Sequence, residues 1–130
     1  MPLRPKRLYE CPHIEVPLPT ADGGNWMGIY SGVAACSFFG KESNKWTRDK
    51  ITFEVGRTLK EVEFISAIAT VSLAAVVNEH EGTCGWAVDE VHASRAENGQ
   101  VRITADVGVY GNGPELLRLS YHVTAIARVR

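Results

Sequence analysis

A period-two alternation of apolar and polar side chains runs through residues 100–129. In its first part, Val101 and Ile103 begin a series of apolar odd positions that are separated by polar residues. The same alternation resumes from Leu117 to the end of the stretch. Because successive side chains of a β-strand point to opposite faces, the pattern predicts strands with one buried face and one solvated face.

The four residues Gly111-Asn112-Gly113-Pro114 interrupt this alternation. Glycine, asparagine and proline favour tight turns, so they predict a hairpin that joins two antiparallel strands. A tight hairpin would place Asp106 near Ser120, and Thr104 near His122, since directly opposed residues share one face of a sheet. The sequence therefore predicts a polar patch that contains Asp106, Ser120 and His122.

The remainder of the domain also favours strands. Residues 60–77 mix alanines, which suit a helix, with β-branched residues, which suit a strand, and we interpret them as one long strand bent near Ser66. Asn98-Gly99 predicts a hairpin turn because both residues tolerate positive φ. Polar loops are expected at residues 40–50 and 78–85. The other predicted strands are residues 26–39 with a bulge, 51–55, and 86–95 with a bulge.

Proline is concentrated at the N-terminus, where residues 1–25 hold five of the six prolines. Proline fixes φ and lacks a backbone donor, so this segment is predicted to be an extended arm that ends at Asp22-Gly23-Gly24. The arm either lies across its own domain or embraces a neighbouring subunit. Residues 26–130 are predicted to form a single domain.

Six to eight short strands without a secure helix predict an all-β fold. The expected architecture is an antiparallel β-sandwich, of jelly-roll or Ig-like type, that carries the extended Pro-rich N-terminal arm.

Composition restricts the partners. The formal net charge is −1, which disfavours nucleic acid, and the apolar run 65–77 is too short to span a bilayer. No apolar segment of the kind found in secretory signals follows the basic N-terminus, so we expect a cytoplasmic protein or one released without such a signal. Cys11, Cys36 and Cys84 form no Cys-x-x-Cys pair, which disfavours a zinc site. In a cytosolic protein we expect three reduced thiols, and the alternative is one disulfide with one free thiol.

No nucleophile elbow, phosphate-binding loop or dinucleotide motif is present, so the sequence favours a non-enzymatic binding or assembly module without a cofactor. The apolar arm and the small residues of the long strands predict a homo-oligomer. A small hydrolase that uses His122 or His92 is one alternative, with the polar patch as its site.

The other alternative is a lectin-like protein that binds carbohydrate through aromatic loop residues. Glu79, His80 and Glu81 are candidate ligands for a cation, although no calcium-loop motif is matched. The partner would then be a carbohydrate or another protein. The candidate ligand-binding residues are Trp46, His80, Trp86, Tyr110, Asp106 and His122.

Overall fold

A computed structural model describes residues 2–19, 24–79 and 82–128. These residues form an antiparallel sheet, which confirms the predicted all-β class, and no helix among them is long and apolar enough to cross a membrane. All six strands belong to one sheet in the order β1-β3-β6-β4, with β2 also paired to β3 and β5 to β6. The strands are β1 (Arg7–Glu10), β2 (Ile14–Leu18), β3 (Asn25–Val55), β4 (Phe64–Val77), β5 (Gly85–Arg95) and β6 (Val101–Arg128).

The two longest strands, β3 and β6, pair with each other from Asn25–Arg128 at one end to Val55–Val101 at the other. We call this pairing the central ladder. The hairpin predicted at residues 111–114 and the loop predicted at 40–50 are therefore wrong, because both segments lie within paired strands. The turn-forming residues serve a bend instead: Gly111 and Gly113 have positive φ, and register shifts interrupt the ladder at the same level. Bulges of this kind bend a strand without ending it.

The central ladder folds back on itself at this bend. Phe53 pairs with Ile103, and Tyr121 lies 18 residues further along β6. A straight strand would separate these positions by roughly 60 Å. Instead, the rings of Phe53 and Tyr121 are 5.4 Å apart between centroids, so the inner faces of the two halves pack together.

The bend divides the sheet into two halves. The first half contains residues 25–39 of β3 and 115–128 of β6, together with β1, β2 and β4. The second half contains residues 46–55 of β3 and 101–110 of β6, together with β5. The buried core lies between them and includes the odd positions of β6 that the sequence pattern indicated, among them Ile103, Val107, Leu119 and Val123.

The N-terminal segment closes one edge of the sheet. Leu3 donates its N–H to the Lys50 carbonyl at 2.7 Å and accepts from the Thr52 N–H at 3.0 Å. β1 and β2 then pair with residues 25–35 of β3, so residues 3–18 follow this strand across the bend. We call residues 3–18 the N-terminal strap. Pro17 is accommodated in β2 because an edge strand does not need every donor.

The division into an arm of residues 1–25 and a domain of residues 26–130 stays a prediction. Within the predicted turn at the end of the arm, Asp22 and Gly23 lie outside the described residues, and Gly24 has a φ of 96°.

Other local predictions are confirmed. β4 is one strand, although it begins at Phe64 and not at residue 60, and it has a register shift between Phe64 and Ser66 where the bend was expected. β5 contains the expected bulge, between Asp89 and His92. At the predicted Asn98-Gly99 turn, Gly99 has a φ of 92° and donates its N–H to the Ala96 carbonyl at 2.9 Å.

Gly32 should be required for seating the N-terminal strap. A Cβ atom at this position would meet the Tyr9 carbonyl of β1 and would lie 2.6 Å from the Tyr121 hydroxyl. Overpacking of this kind costs about 1–3 kcal/mol, so we expect Gly32→Ala to lower the free energy of unfolding by that amount in urea titrations. Gly85→Ala is the control, because its nearest contact would be 3.5 Å away. Equal losses in the two variants would contradict the close approach.

Cys36 should be the protected thiol. Burial, and secondarily the Glu115 carboxylate, raise the pKa of Cys36 to about 11, whereas Cys11 is exposed. The thiolate is the reactive form, and raising a pKa from 9 to about 11 lowers its population about 100-fold. Alkylation of the folded chain at pH 8, followed by mass spectrometry, should modify Cys11 at least that much faster. Similar rates at the two positions would show that Cys36 is not buried.

Candidate functional site

The structure does not bring the predicted polar patch together. Asp106 is opposite Lys50 and Asp89 in the second half, where its carboxylate accepts a hydrogen bond from Lys50 Nζ at 2.8 Å. His122 is opposite Ser31 and Thr70 in the first half. The expected pairing of Asp106 with Ser120 is wrong because β6 continues as a single strand through the predicted hairpin.

Two of the predicted aromatic residues do meet. Trp46 lies in β3, not in a loop, and its ring is 5.4 Å from that of Tyr110 at an angle of 61°. The Arg48 guanidinium is 4.9 Å from the centre of the Trp46 ring. Trp46 is 44% exposed. Trp86 instead packs against the core and donates its indole N–H to the Glu115 carbonyl at 3.1 Å. Binding of carbohydrate by these residues stays a prediction.

Of the candidate cation ligands, one is placed by the structure, shortly after the end of β4. Glu79 is described, whereas His80 and Glu81 lie outside the described residues. Within residues 2–19, 24–79 and 82–128, no group of three His, Cys, Asp or Glu side chains is placed to hold a metal ion.

An open cavity of about 420 Å³ lies between the strap and β3. Tyr30 lines it, with its ring 5.3 Å from that of His13, and its buried hydroxyl has no hydrogen-bond partner among the described residues. Burial raises the pKa of Tyr30 above its ordinary value. Sequence reasoning did not identify this cavity, because its walls come from the strap, from the first half of β3 and from the two residues that follow β3.

The outer face of the second half is covered by ion pairs. Besides Lys50 and Asp106, Arg48 lies 3.6 Å from the Asp89 carboxylate. The Glu54 carboxylate lies 3.1 Å from the Arg102 guanidinium and 2.9 Å from the guanidinium of Arg4 in the strap. Alternating charges of this kind are typical of a sheet face that remains in water.

The outer face of the first half has a different composition. Directly opposed residues lie on the same face of a sheet, so the register defines four rows across β1 or β2, β3, β6 and β4. None of their members is Asp, Glu, Lys or Arg, and we call this surface the neutral face. The rows are Val16-Met27-Ile126-Ser66, Ile14-Ile29-Thr124-Ile68, Ser31-His122-Thr70 and Tyr9-Val33-Ser120-Ser72.

Apolar side chains of the neutral face are open to solvent. Ile68 is 73% exposed and Ile14 is 57% exposed, at opposite ends of the same row. The Ser72 and Ser120 hydroxyls hydrogen-bond each other at 2.8 Å, so part of the polar content is already satisfied. Positive charge lies in the rows beyond, at Arg7 and Arg118 on one side and at Arg128 on the other, and the Arg7 guanidinium is 5.0 Å from the centre of the Tyr9 ring. Solvent-exposed apolar side chains on a face without charged members favour an interaction surface.

Sequence reasoning singled out Ser120 and His122 of this surface, but as members of a polar patch with Asp106. The face is assembled from five segments that are distant in the chain, and it depends on the register of the central ladder. The one available signal was the apolar character of both faces of residues 65–77, where Ile68 and Val76 interrupt the polar positions.

No protein-family model, curated protein or solved structure matches this chain.

Glu54 should contribute a pH-dependent part of the stability. The hydrogen bond from Arg4, together with Arg102, holds the pKa of Glu54 below its usual value near 4.5, although burial opposes this shift. A depressed folded pKa gives stability that is complete above the unfolded pKa and is lost as pH falls through the folded pKa. We expect Glu54→Gln to lower the free energy of unfolding by about 1 kcal/mol at pH 7, and the difference to shrink below pH 4.5.

The measurement is urea unfolding at about six pH values between pH 3 and pH 7. Glu97→Gln is the control, because Glu97 is exposed in the turn between β5 and β6. A pH-independent difference for Glu54→Gln would contradict a charge-assisted contact with Arg4.

Proposed function

We propose that this protein is a non-enzymatic assembly module that forms homo-oligomers by burying the neutral face against a second copy. The observation that carries the proposal is the contrast between the two outer faces of one sheet. The second half covers its outer face with ion pairs, whereas the first half leaves apolar and hydroxyl side chains uncovered.

The extent of the surface supports this proposal. Four strands abreast and the eleven residues 25–35 span roughly 19 Å by 36 Å, which is roughly 700 Å². A stable interface buries about 800 Å² per partner. The neutral face with its two bordering rows is therefore close in size to one side of an ordinary protein interface.

The chemistry of the surface favours burial. Removing a charge from water without a partner is costly, and the neutral face has no carboxylate, lysine or arginine to remove. Its hydroxyl groups need only local hydrogen bonds, as the Ser72–Ser120 pair already shows. A second copy presents the same uncharged rows, so no like charges face each other at the centre of the contact.

A binding and assembly role is also supported against the hydrolase alternative. Ser120 and His122 share the neutral face, while Asp106 is engaged by Lys50 in the other half. A histidine on an open sheet face lacks the orienting carboxylate and the enclosed site that nucleophilic catalysis requires.

We further propose that the two halves of the folded sheet act as the two layers of a β-sandwich, with the strap as its Pro-rich N-terminal arm. The contact between Phe53 and Tyr121 across the fold supports this description.

The native mass of the chain tests the assembly. Light scattering at micromolar concentration should give at least twice the chain mass of 14.3 kDa. Ile68→Glu and Ile14→Glu each place a carboxylate on the neutral face, and each should raise the dissociation constant tenfold or more, which corresponds to about 1.4 kcal/mol. Both side chains are exposed, so the monomer should keep its fold.

His92→Glu is the matched control, since it adds the same charge to the exposed outer face of the second half. The control should assemble like the parent chain. A mass of 14.3 kDa at every concentration, or equal dissociation by all three variants, would refute the proposed interface.

A further inference from the structure

We propose that β4 pairs edge to edge with β4 of a second copy, antiparallel, about a two-fold axis beside Ala69 and Thr70. The two sheets would then continue into one another. This inference rests on the proposed self-association and adds a second contact between copies, along the sheet edge that borders the neutral face.

The outer edges of the sheet differ in their protection. An unpaired edge strand presents a row of free N–H and C=O groups, and proteins usually protect it with proline, charge or a bulge. The strap edge carries Pro17 in β2 and Pro12 beside it. The edge of β5 carries Asp89 and Glu90, and its bulge sets Glu90 at a φ of 51°.

β4 lacks two of these protections. Among the described residues it pairs with β6 alone, and none of its fourteen residues is charged or proline. Its register shifts lie near its ends, at Phe64–Ser66 and Leu73–Val76, which leaves a regular run from Ser66 to Leu73. This run is as long as an ordinary strand, and no second strand is hydrogen-bonded to it among the described residues.

A second copy of β4 is the occupant that this edge fits. An extended strand satisfies the free backbone groups, and the other described edges of the chain are blocked by proline, charge and a bulge. A two-fold axis makes one unprotected edge meet another, as in an isologous dimer. Because β4 carries no charge, its own copy brings no like-charge contact across the pair.

The pleat fixes the permitted register. A two-fold axis normal to the sheet keeps outward side chains outward, so even-numbered positions from Ser66 to Ser72 must oppose even-numbered positions. Centring the regular run then places Ile68 opposite Thr70 or Ser72 of the copy. The same arrangement joins the two neutral faces into one continuous surface.

Distances between spin labels test the geometry. Single cysteines are introduced at Ser66, Thr70 or Ala74 in the full chain with Cys11→Ser and Cys84→Ser, and each is labelled for electron–electron double resonance. In an antiparallel pair, the distance between equivalent labels grows by roughly 6.6 Å for each residue from the axis. We expect the shortest distance at Thr70 and distances longer by roughly 13–26 Å at Ser66 and Ala74.

Dilution with unlabelled chain should remove these distances, which confirms that they are intermolecular. An oligomer whose labels show no minimum at Thr70 would overturn the edge pairing and leave the proposed function standing. Equal distances at the three positions would indicate parallel strands and would also overturn it. A monomer by light scattering would overturn the proposed function itself.

Discussion

The central ladder between β3 and β6 is the constraint on which the rest of the structure depends. It pairs the two strands along their whole length, and every other strand attaches to one of them. The ladder survives a sharp bend because Gly111 and Gly113 adopt positive φ and the register shifts at the same level. One sheet therefore supplies both walls of the core, with Phe53 against Tyr121.

This construction gives the molecule two outer faces and leaves β4 at an edge. Because the same ladder supplies both outer faces, their difference in composition does not arise from a difference in fold. Lys50, Asp106 and Glu54 make the second half compatible with water, while Ile14 and Ile68 leave the first half incompletely covered. The strap closes the edge of β3, so the chain protects one side of the sheet and leaves the side at β4 open. Self-association through the first half accounts for both features.

Much of the local structure could be predicted from the sequence, because alternation, bulges and the Asn98-Gly99 turn depend on neighbouring residues. The bend could not, since Gly111-Asn112-Gly113-Pro114 has the composition of a hairpin, and only the pairing of residues 40–46 decides between a turn and a bend. A hairpin would have brought Asp106 close to His122. The bend places them in different halves, so the predicted patch does not form. The neutral face was missed for the same reason: Ile14, Ile29 and Ile68 become neighbours only through the register.

The most direct test of the central claim is hydrogen–deuterium exchange of the β4 amides at two protein concentrations, on either side of the association midpoint. If a second copy covers this edge, the outward amides from Ser66 to Leu73 should exchange slowly at the higher concentration and rapidly at the lower one. The amides of β5 should exchange at the same rate in both. Rapid, concentration-independent exchange along β4 would contradict the account.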